Sequence, residues 1–137
     1  MRTQLGALCY RVRDGKAEVL LITSRRTGRW VIPKGWPMGG ETPGDAALQE
    51  AWEEAGVIGR LTSNAIGVYS YVKQGDQDQL PCIVAVFPIK VKRLEEKFPE
   101  FRERRRKWFT LKKAATRVME PELRHILTTF DHKQLAD

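Results

Sequence analysis

Residues 35–57 read GWPMGGETPGDAALQEAWEEAGV, and this stretch decides the fold. The Gly and Pro residues over 33–40 disfavour regular structure and predict a loop. A helix is predicted to begin after Thr42, because threonine caps exposed helix N–H groups and Pro43 suits the first helical position. The helix is predicted to stop at Gly56, since glycine readily adopts the left-handed conformation that ends helices.

Three glutamates of this predicted helix form an acidic face. Glu50, Glu53 and Glu54 have the spacing i, i+3 and i+4, which places their Cβ atoms about 5–6 Å apart on one side of a helix. Most glutamate clusters are solvated surface, but here a Gly-rich loop can bring backbone carbonyls close to the face. Carboxylate and carbonyl oxygens are the ligands that Mg²⁺ prefers. The loop and the helix together therefore indicate a metal site.

Strand patterns flank the helix on both sides. Apolar or alternating segments predict strands over 5–12, 18–23, 29–32, 65–72, 82–91 and 106–111. The first two strands are expected to form a hairpin around Asp14-Gly15. A polar loop is predicted over 73–78, and a last helix over 121–130. These elements predict one mixed α/β domain covering residues 1–137.

The charge balance is basic, with 24 Lys and Arg residues against 17 Asp and Glu residues, a net charge of +7. Basic residues dominate between 90 and 124, and four of them are consecutive at 104–107. A lysine-rich surface alone accounts for such a balance, while an anionic partner such as a polyphosphate or a nucleic acid would exploit it.

The apolar segments exclude some classes of protein. No stretch approaches the roughly 18 apolar residues that a membrane span needs, and no signal peptide is recognised after the first arginine. Cys9 and Cys82 each lie among apolar residues and are predicted to be buried free thiols. A cytoplasmic, reducing location is the expected default.

The spacing over residues 35–57 resembles the Nudix box. That motif is Gly, five residues, Glu, seven residues, Arg-Glu, an aliphatic, any residue, Glu-Glu, any residue, Gly and an aliphatic. The positions that match here are Gly35, Glu41, Glu50, Glu53, Glu54, Gly56 and Val57. The resemblance implies the Nudix fold, an α/β/α sandwich with a central mixed β-sheet.

Two positions depart from the motif. Gln49 stands where the family has an arginine, and Ala51 stands where a larger aliphatic is usual. The family arginine normally pairs with a glutamate of the motif, here Glu41, and supports the loop against the helix. Glutamine can hydrogen-bond but cannot make the bidentate ion pair.

The resemblance also implies roles for the box residues. Glu50 and Glu54, with Glu53, are expected to hold Mg²⁺ or Mn²⁺, together with a backbone carbonyl of Lys34 or Gly35. Glu53 is expected to deprotonate or orient the attacking water, with Glu50 as the other catalytic candidate. Because some family members recruit a base from a distant loop, Glu100 and Glu103 are alternatives.

A wider resemblance reaches beyond the box. Residues 28–30, 33–35 and 104–109 are similar to segments of diphosphoinositol polyphosphate and diadenosine polyphosphate hydrolases. The expected partner is therefore a small-molecule polyphosphate. The predicted substrate-binding residues are Arg25, Arg26, Lys34, Lys73, Arg104, Arg106 and Trp36, and the structural residues of the box are Gly35, Glu41, Gln49 and Gly56.

Other functions stay open at this point. Pyrophosphate removal from RNA 5′ ends and hydrolysis of nucleoside triphosphates use the same chemistry, although no RNA-binding module is recognised and a nucleic-acid partner is not favoured. A catalytically silent domain that senses a ligand or binds nucleic acid would be expected to have lost the acidic face, which is intact here. A monomer and a homodimer are both compatible with the sequence, and no membrane partner is expected.

Overall fold

The computed structural model describes residues 2–74 and 79–135. Its strands are β1 (Arg2–Arg13), β2 (Lys16–Thr23), β3 (Trp30–Val31), β4 (Lys34–Gly35), β5 (Val57–Leu61), β6 (Gly67–Gln74), β7 (Gln79–Leu94) and β8 (Arg106–Thr110). Its helices are α1 (Pro43–Ala55), α2 (Leu111–Arg117), α3 (Pro121–Thr129) and a short 3-10 turn (His132–Gln134).

The strands form one mixed sheet, as the family resemblance implies. The backbone of the sheet runs in the order β3-β2-β1-β7-β5, with β4 beside β1, β6 beside β7 and β8 beside β2. β1 and β7 run parallel, from the pair Arg2 and Cys82 to the pair Tyr10 and Lys90. The other pairings are antiparallel, including the predicted β1–β2 hairpin.

Two apolar cores lie on opposite faces of this sheet. Successive side chains of a strand point to opposite faces, so Leu8 and Tyr10 join one core while Ala7 and Cys9 join the other. The first core packs against α2 and α3, and the second packs against α1. The architecture is therefore the predicted α/β/α sandwich.

Helix α1 has the predicted ends. The hydroxyl of Thr42 accepts a hydrogen bond from the backbone N–H of Asp45 at 3.1 Å, a cap that contributes about 1 kcal/mol. Gly56 ends the helix with a φ of 69°, in the left-handed region. Buried alanines, including Ala47 and Ala51, face the sheet and let the helix approach it closely.

Other elements differ from the sequence-based prediction. Strand β5 was not predicted, because it has five residues, carries a glycine and an arginine, and depends on pairing with β7. Helix α2 was not predicted either, since seven residues are too short to show a helical period. β4 lies inside the predicted loop, where it forms through pairing with β1. The loop expected over 73–78 falls partly outside the described residues, at 75–78.

The helices and the two cysteines bear on the predictions about membrane spans and free thiols. Within residues 2–74 and 79–135, every helix is too short or too polar to cross a bilayer. Cys9 and Cys82 are buried and free, as predicted. Burial raises the pKa of the Cys9 thiol far above its usual range, which makes that sulfur unreactive.

Candidate functional site

The acidic face of α1 lies directly against β4. A side chain at Gly35 would overlap the carboxylate of Glu50, so the absence of a Cβ at this position allows the close approach. Next to it, the backbone N–H of Lys34 lies 3.4 Å from Oε1 of Glu54. The pairing of β4 with β1 thus places the glycine loop against the glutamates, while the predicted roles of the Lys34 and Gly35 carbonyls as metal ligands stay a prediction.

Glu50 and Glu54 form an acidic pair one helical turn apart. Each carboxyl group changes the pKa of the other. Burial is the main reason that the pKa of Glu54 is raised to about 8, with its interaction with the Glu50 carboxylate as a second cause. Burial also raises the pKa of Glu50. Two half-buried or buried carboxylates that hold a proton in this way can exchange it for a cation.

Glu53, the third glutamate of the acidic face, has a partner of its own. Its Oε2 accepts a hydrogen bond from Nε2 of Gln49 at 2.6 Å, one helical turn earlier. In the described part of the chain, no three His, Cys, Asp or Glu side chains are arranged together as a metal-binding group. Of the three carboxylates predicted to hold the metal, Glu50 and Glu54 therefore form a pair, and Glu53 lies beside them.

The chemistry of this pair fits a hard divalent cation. Both side chains offer oxygen, which Mg²⁺ and Mn²⁺ accept. The neighbouring backbone of Lys34 and Gly35 lies against the same carboxylates, and Mg²⁺ commonly completes its coordination with water. Glu50 and Glu54 are thus the residues of this site best placed to hold such an ion.

Two charged groups compensate the buried pair. Nη2 of Arg104 lies 3.6 Å from Oε1 of Glu54, with both side chains only 9% exposed. The Lys34 ammonium group lies over the ring of Tyr71, 5.0 Å from its centre. Burial lowers the pKa of Lys34, while the charge of Glu54 opposes that effect.

A basic cavity of about 550 Å³ opens beside the acidic pair. The lysines and arginines that line it are Arg25, Arg26, Arg29, Lys34, Lys73 and Arg104. Glu54 is the acidic member of the lining among the described residues. The cavity therefore brings cationic side chains to the same place as a carboxylate of α1.

Two predicted substrate-binding residues do not line this cavity. Nη1 of Arg106 donates a hydrogen bond of 2.7 Å to the carbonyl oxygen of Ala55 and therefore caps the end of α1. Trp36 is half-buried, with Arg2 and Lys73 facing its ring at 5.0 and 5.4 Å from the centre. Cations thus occupy ring positions that a nucleobase would use for stacking.

Gln49 bonds a residue other than Glu41, in keeping with the loss of the family's ion pair at this position. Gln49 hydrogen-bonds within its own helix, whereas Glu41 is exposed and its backbone N–H donates to the carbonyl oxygen of Met38 at 3.4 Å. The partner of the Gln49 amide is Glu53, one helical turn away. Glu100 and Glu103 lie outside the acidic pair and bind Arg25, at 3.9 and 3.1 Å.

Sequence reasoning missed part of the cavity wall. Arg29 lines the cavity, and its Nη2 makes a 2.9 Å ion pair with Glu120, which is 9% exposed. Gln4 and Tyr71 also line the cavity and are hydrogen-bonded to each other. The position of Arg29 beside the Gly28 turn was the available signal, but Glu120 lies too far along the chain for any spacing rule to find it.

A second cavity, of about 730 Å³, lies at the far end of the β1–β2 hairpin. Arg13, Lys16 and His132 contribute to its wall. None of the predicted site residues reaches it, and the acidic pair lies elsewhere, so its larger volume does not make it the functional site.

Comparison with known proteins agrees with this geometry. The NUDIX domain profile matches residues 2–130. The chain is 36% identical to Nudix hydrolase 12, mitochondrial, of Arabidopsis thaliana, over 72% of the chain and 51% of that protein. It is 41% identical to diphosphoinositol polyphosphate phosphohydrolase 3-alpha of Homo sapiens, over 50% of the chain and 41% of that protein.

The fold is also found in solved structures. A C. elegans Ap4A hydrolase in a binary complex superposes with a TM-score of 0.68, at 24% identity and with 93% of each chain covered. The chain spans about half the length of the Arabidopsis relative and less of the human one. With the domain match covering nearly all the described residues, the chain belongs to the Nudix family.

Proposed function

We propose that this Nudix domain hydrolyses a phosphoanhydride bond of a densely phosphorylated small molecule, with a bound divalent cation. The substrate classes that we favour are diphosphoinositol polyphosphates and diadenosine polyphosphates. The observation that carries the proposal is the meeting of a basic cavity with the acidic pair at Glu54. A phosphoanhydride needs both features, since its phosphates attract cations and its hydrolysis needs charge neutralised at phosphorus.

The basic wall supports an anionic substrate. Arg26 and Lys73 are exposed at the cavity, so their charges are accessible to a ligand. Lys34 and Arg29 lie deeper, in the part of the wall that adjoins Glu54 and Glu120. Charge-assisted contacts to phosphate are about twice as strong as neutral hydrogen bonds, and several together favour a substrate with more than one phosphate.

The acidic face would divide its work between two groups. Glu50 and Glu54 would hold the cation, which supplies a positive charge for the phosphoryl oxygens and makes bound water more acidic. Glu53 would accept a proton from water or orient it, because its carboxylate is half-buried and lies beside the pair. The amide of Gln49 fixes the position of Glu53 without adding charge.

The names of the relatives and the surroundings of Trp36 support the choice of substrate class. One relative is named a diphosphoinositol polyphosphate phosphohydrolase and a structural neighbour is named an Ap4A hydrolase. The cations against the Trp36 ring would have to move before a base could stack there. Diphosphoinositol polyphosphates, which carry no base, need no such movement and rank first.

The proposal is tested by a substrate panel read by phosphorus NMR in isotopically labelled water. The panel contains inositol pyrophosphates, diadenosine polyphosphates, nucleoside triphosphates and triphosphorylated RNA, each with Mg²⁺, with Mn²⁺ and with EDTA. We expect metal-dependent cleavage of an inositol pyrophosphate, with label in the product phosphate that water attacked. If only RNA or nucleoside triphosphates were cleaved, those compounds would replace inositol pyrophosphates as the proposed substrate class.

Matched variants separate catalysis from binding. Glu53→Gln is expected to reduce kcat about 10²- to 10⁴-fold, the usual contribution of a general base. Glu96→Gln changes an exposed glutamate outside the cavity wall and should leave kcat unchanged. Binding of every substrate without turnover by the unmodified chain would instead identify a catalytically silent domain.

A further inference from the structure

We propose that Arg104 takes the place of the arginine missing from position 49 and is a positioning residue for the acidic face, not a phosphate ligand. The inference rests on the proposed function, since it concerns the carboxylates that would hold the cation. It also reverses the role expected from the sequence, where Arg104 was one of the residues predicted to bind substrate.

Protein acceptors surround the Arg104 guanidinium. Nε lies 2.7 Å from Oε1 of Glu100, and Nη1 donates to the carbonyl oxygen of Thr23 at 3.1 Å. Nη2 lies 3.6 Å from Oε1 of Glu54. Each of the three nitrogens is therefore directed at a protein oxygen, and the side chain is 9% exposed. Two of its five N–H groups donate to Glu100 and Thr23, and its burial leaves little of the guanidinium surface open to a substrate phosphate.

The segment that carries Arg104 is fastened on two sides. The backbone N–H and the side-chain hydroxyl of Thr23 bond the backbone of Arg105, at 2.9 and 2.8 Å. On the other side, the backbone N–H of Glu100 donates to the carbonyl oxygen of Glu53 at 3.0 Å. This arrangement fixes the guanidinium relative to both the end of β2 and the end of α1.

Gln49 does not supply the positive charge that Arg104 places beside the Glu50–Glu54 pair. The glutamine amide carries no charge and engages Glu53, so it neither neutralises nor orients the Glu50–Glu54 pair. The positive charge of Arg104 lowers the pKa of both carboxylates and thereby opposes the effect of burial. Lysine could supply the charge but not a planar fork directed at several acceptors.

The test measures Mn²⁺ binding by electron paramagnetic resonance on the full chain without substrate. Two effects of Arg104→Gln oppose each other: loss of a nearby positive charge should tighten cation binding, and loss of positioning should weaken it. We expect positioning to dominate, with a Kd about 10- to 100-fold weaker, as for other groups that orient metal ligands. Arg104→Lys should behave like Arg104→Gln, although its charge is retained.

Two further variants make the inference specific. Arg105 is an exposed neighbour, and its described contacts are made by its backbone. The Arg105→Gln variant removes a nearby positive charge and should bind Mn²⁺ as the unmodified chain does. Gln49→Arg added to Arg104→Gln should recover at least about threefold of the lost affinity, because it restores a guanidinium beside the acidic face. Melting temperatures establish that each variant is folded, and Arg104→Lys carries the test if Arg104→Gln is not.

The outcomes are distinct. Unchanged or tighter Mn²⁺ binding by Arg104→Gln, with an increase in KM alone, would identify a phosphate ligand and overturn the inference. No recovery by Gln49→Arg would also overturn it, because the two positions would then not substitute for each other. If the unmodified chain bound no Mn²⁺, the proposed function itself would fail, and the inference with it.

Discussion

Gly35 and the carboxylate of Glu50 are so close that the glycine has no room for a methyl group. The contact joins β4 to α1 and fixes the distance between the glycine loop and the acidic face. It is a contact with the flexible end of a side chain, so a larger residue would move Glu50 rather than the backbone. The consequence of a substitution should therefore appear in the site and not in the fold.

Gly35→Ala is expected to displace Glu50 and to reduce kcat at least about tenfold, since metal ligands must be held within about 0.5 Å of their working positions. The melting temperature should change little. Gly39→Ala is the matched control, because a Cβ at Gly39 would meet no atom within 4 Å. Equal activities of the two variants would show that the Gly35–Glu50 contact is unimportant.

The raised pKa of Glu54 predicts how stability depends on pH without metal. The folded chain holds a proton on Glu54 up to pH about 8, whereas an unfolded glutamate loses it near pH 4.3. Between these values the folded state binds more protons, so the free energy of unfolding falls as pH rises, by at most about 1.4 kcal/mol per pH unit.

Urea titrations in EDTA from pH 5 to 9 measure this slope. Glu54→Gln removes the titrating group and should flatten the slope of the unfolding free energy. Saturating Mg²⁺ should flatten it as well, since the cation replaces the proton. A slope that is the same in the unmodified chain and in Glu54→Gln would contradict the assignment of the buried proton.

Exposed cations of the cavity should act on substrate binding. Arg26→Ala and Lys73→Ala are each expected to raise KM about three- to tenfold with kcat nearly unchanged, because each removes one screened contact to phosphate. The effect should decrease at high salt. Lys112→Ala, on the exposed side of α2 outside the cavity wall, provides the control. An equal increase in KM for all three variants would indicate non-specific attraction.

The Arg29–Glu120 pair should stabilise the fold. Glu120 is 9% exposed and Arg29 is 29% exposed, so removing one partner leaves a charge largely shielded from water. Glu120→Gln is expected to cost about 2–3 kcal/mol of unfolding free energy, at or just below the usual range for a broken buried pair because Arg29 is partly solvated. Urea unfolding measures this loss.

The exposed pair of Arg93 and Glu95, at 2.9 Å, is the comparison. Its side chains are 55% and 41% exposed, and surface pairs of this kind contribute about 1 kcal/mol or less. Arg93→Ala should therefore cost less than Glu120→Gln. If the two losses were equal, burial of the Arg29–Glu120 pair would have no energetic consequence.

Much of the site could be predicted from local sequence. The cap at Thr42, the stop at Gly56 and the spacing of the glutamates depend on residues at most four positions apart, and each was confirmed in the helix. The need for glycine at position 35 also followed from the motif.

The cytoplasmic location stays a prediction, and the Arabidopsis relative is named as mitochondrial.

The partners of the charged residues could not be predicted in the same way. Arg104 meets Glu54 fifty positions away, and Arg29 meets Glu120 across ninety-one. Arg106 was expected at the substrate and instead caps α1. Such contacts depend on which strands are neighbours and in what register, and propensities of short segments contain no such information.

The sequence by itself determined the central helix, its acidic face, the strands long enough to show a pattern and the family to which they belong. These follow from short-range preferences of the backbone and from apolar periodicity. Only the tertiary structure decided which arginine or lysine side chain pairs with which carboxylate. The parallel pairing of β1 with β7 and the packing of α1 on their sheet bring distant charges together, and burial there makes their pairing necessary.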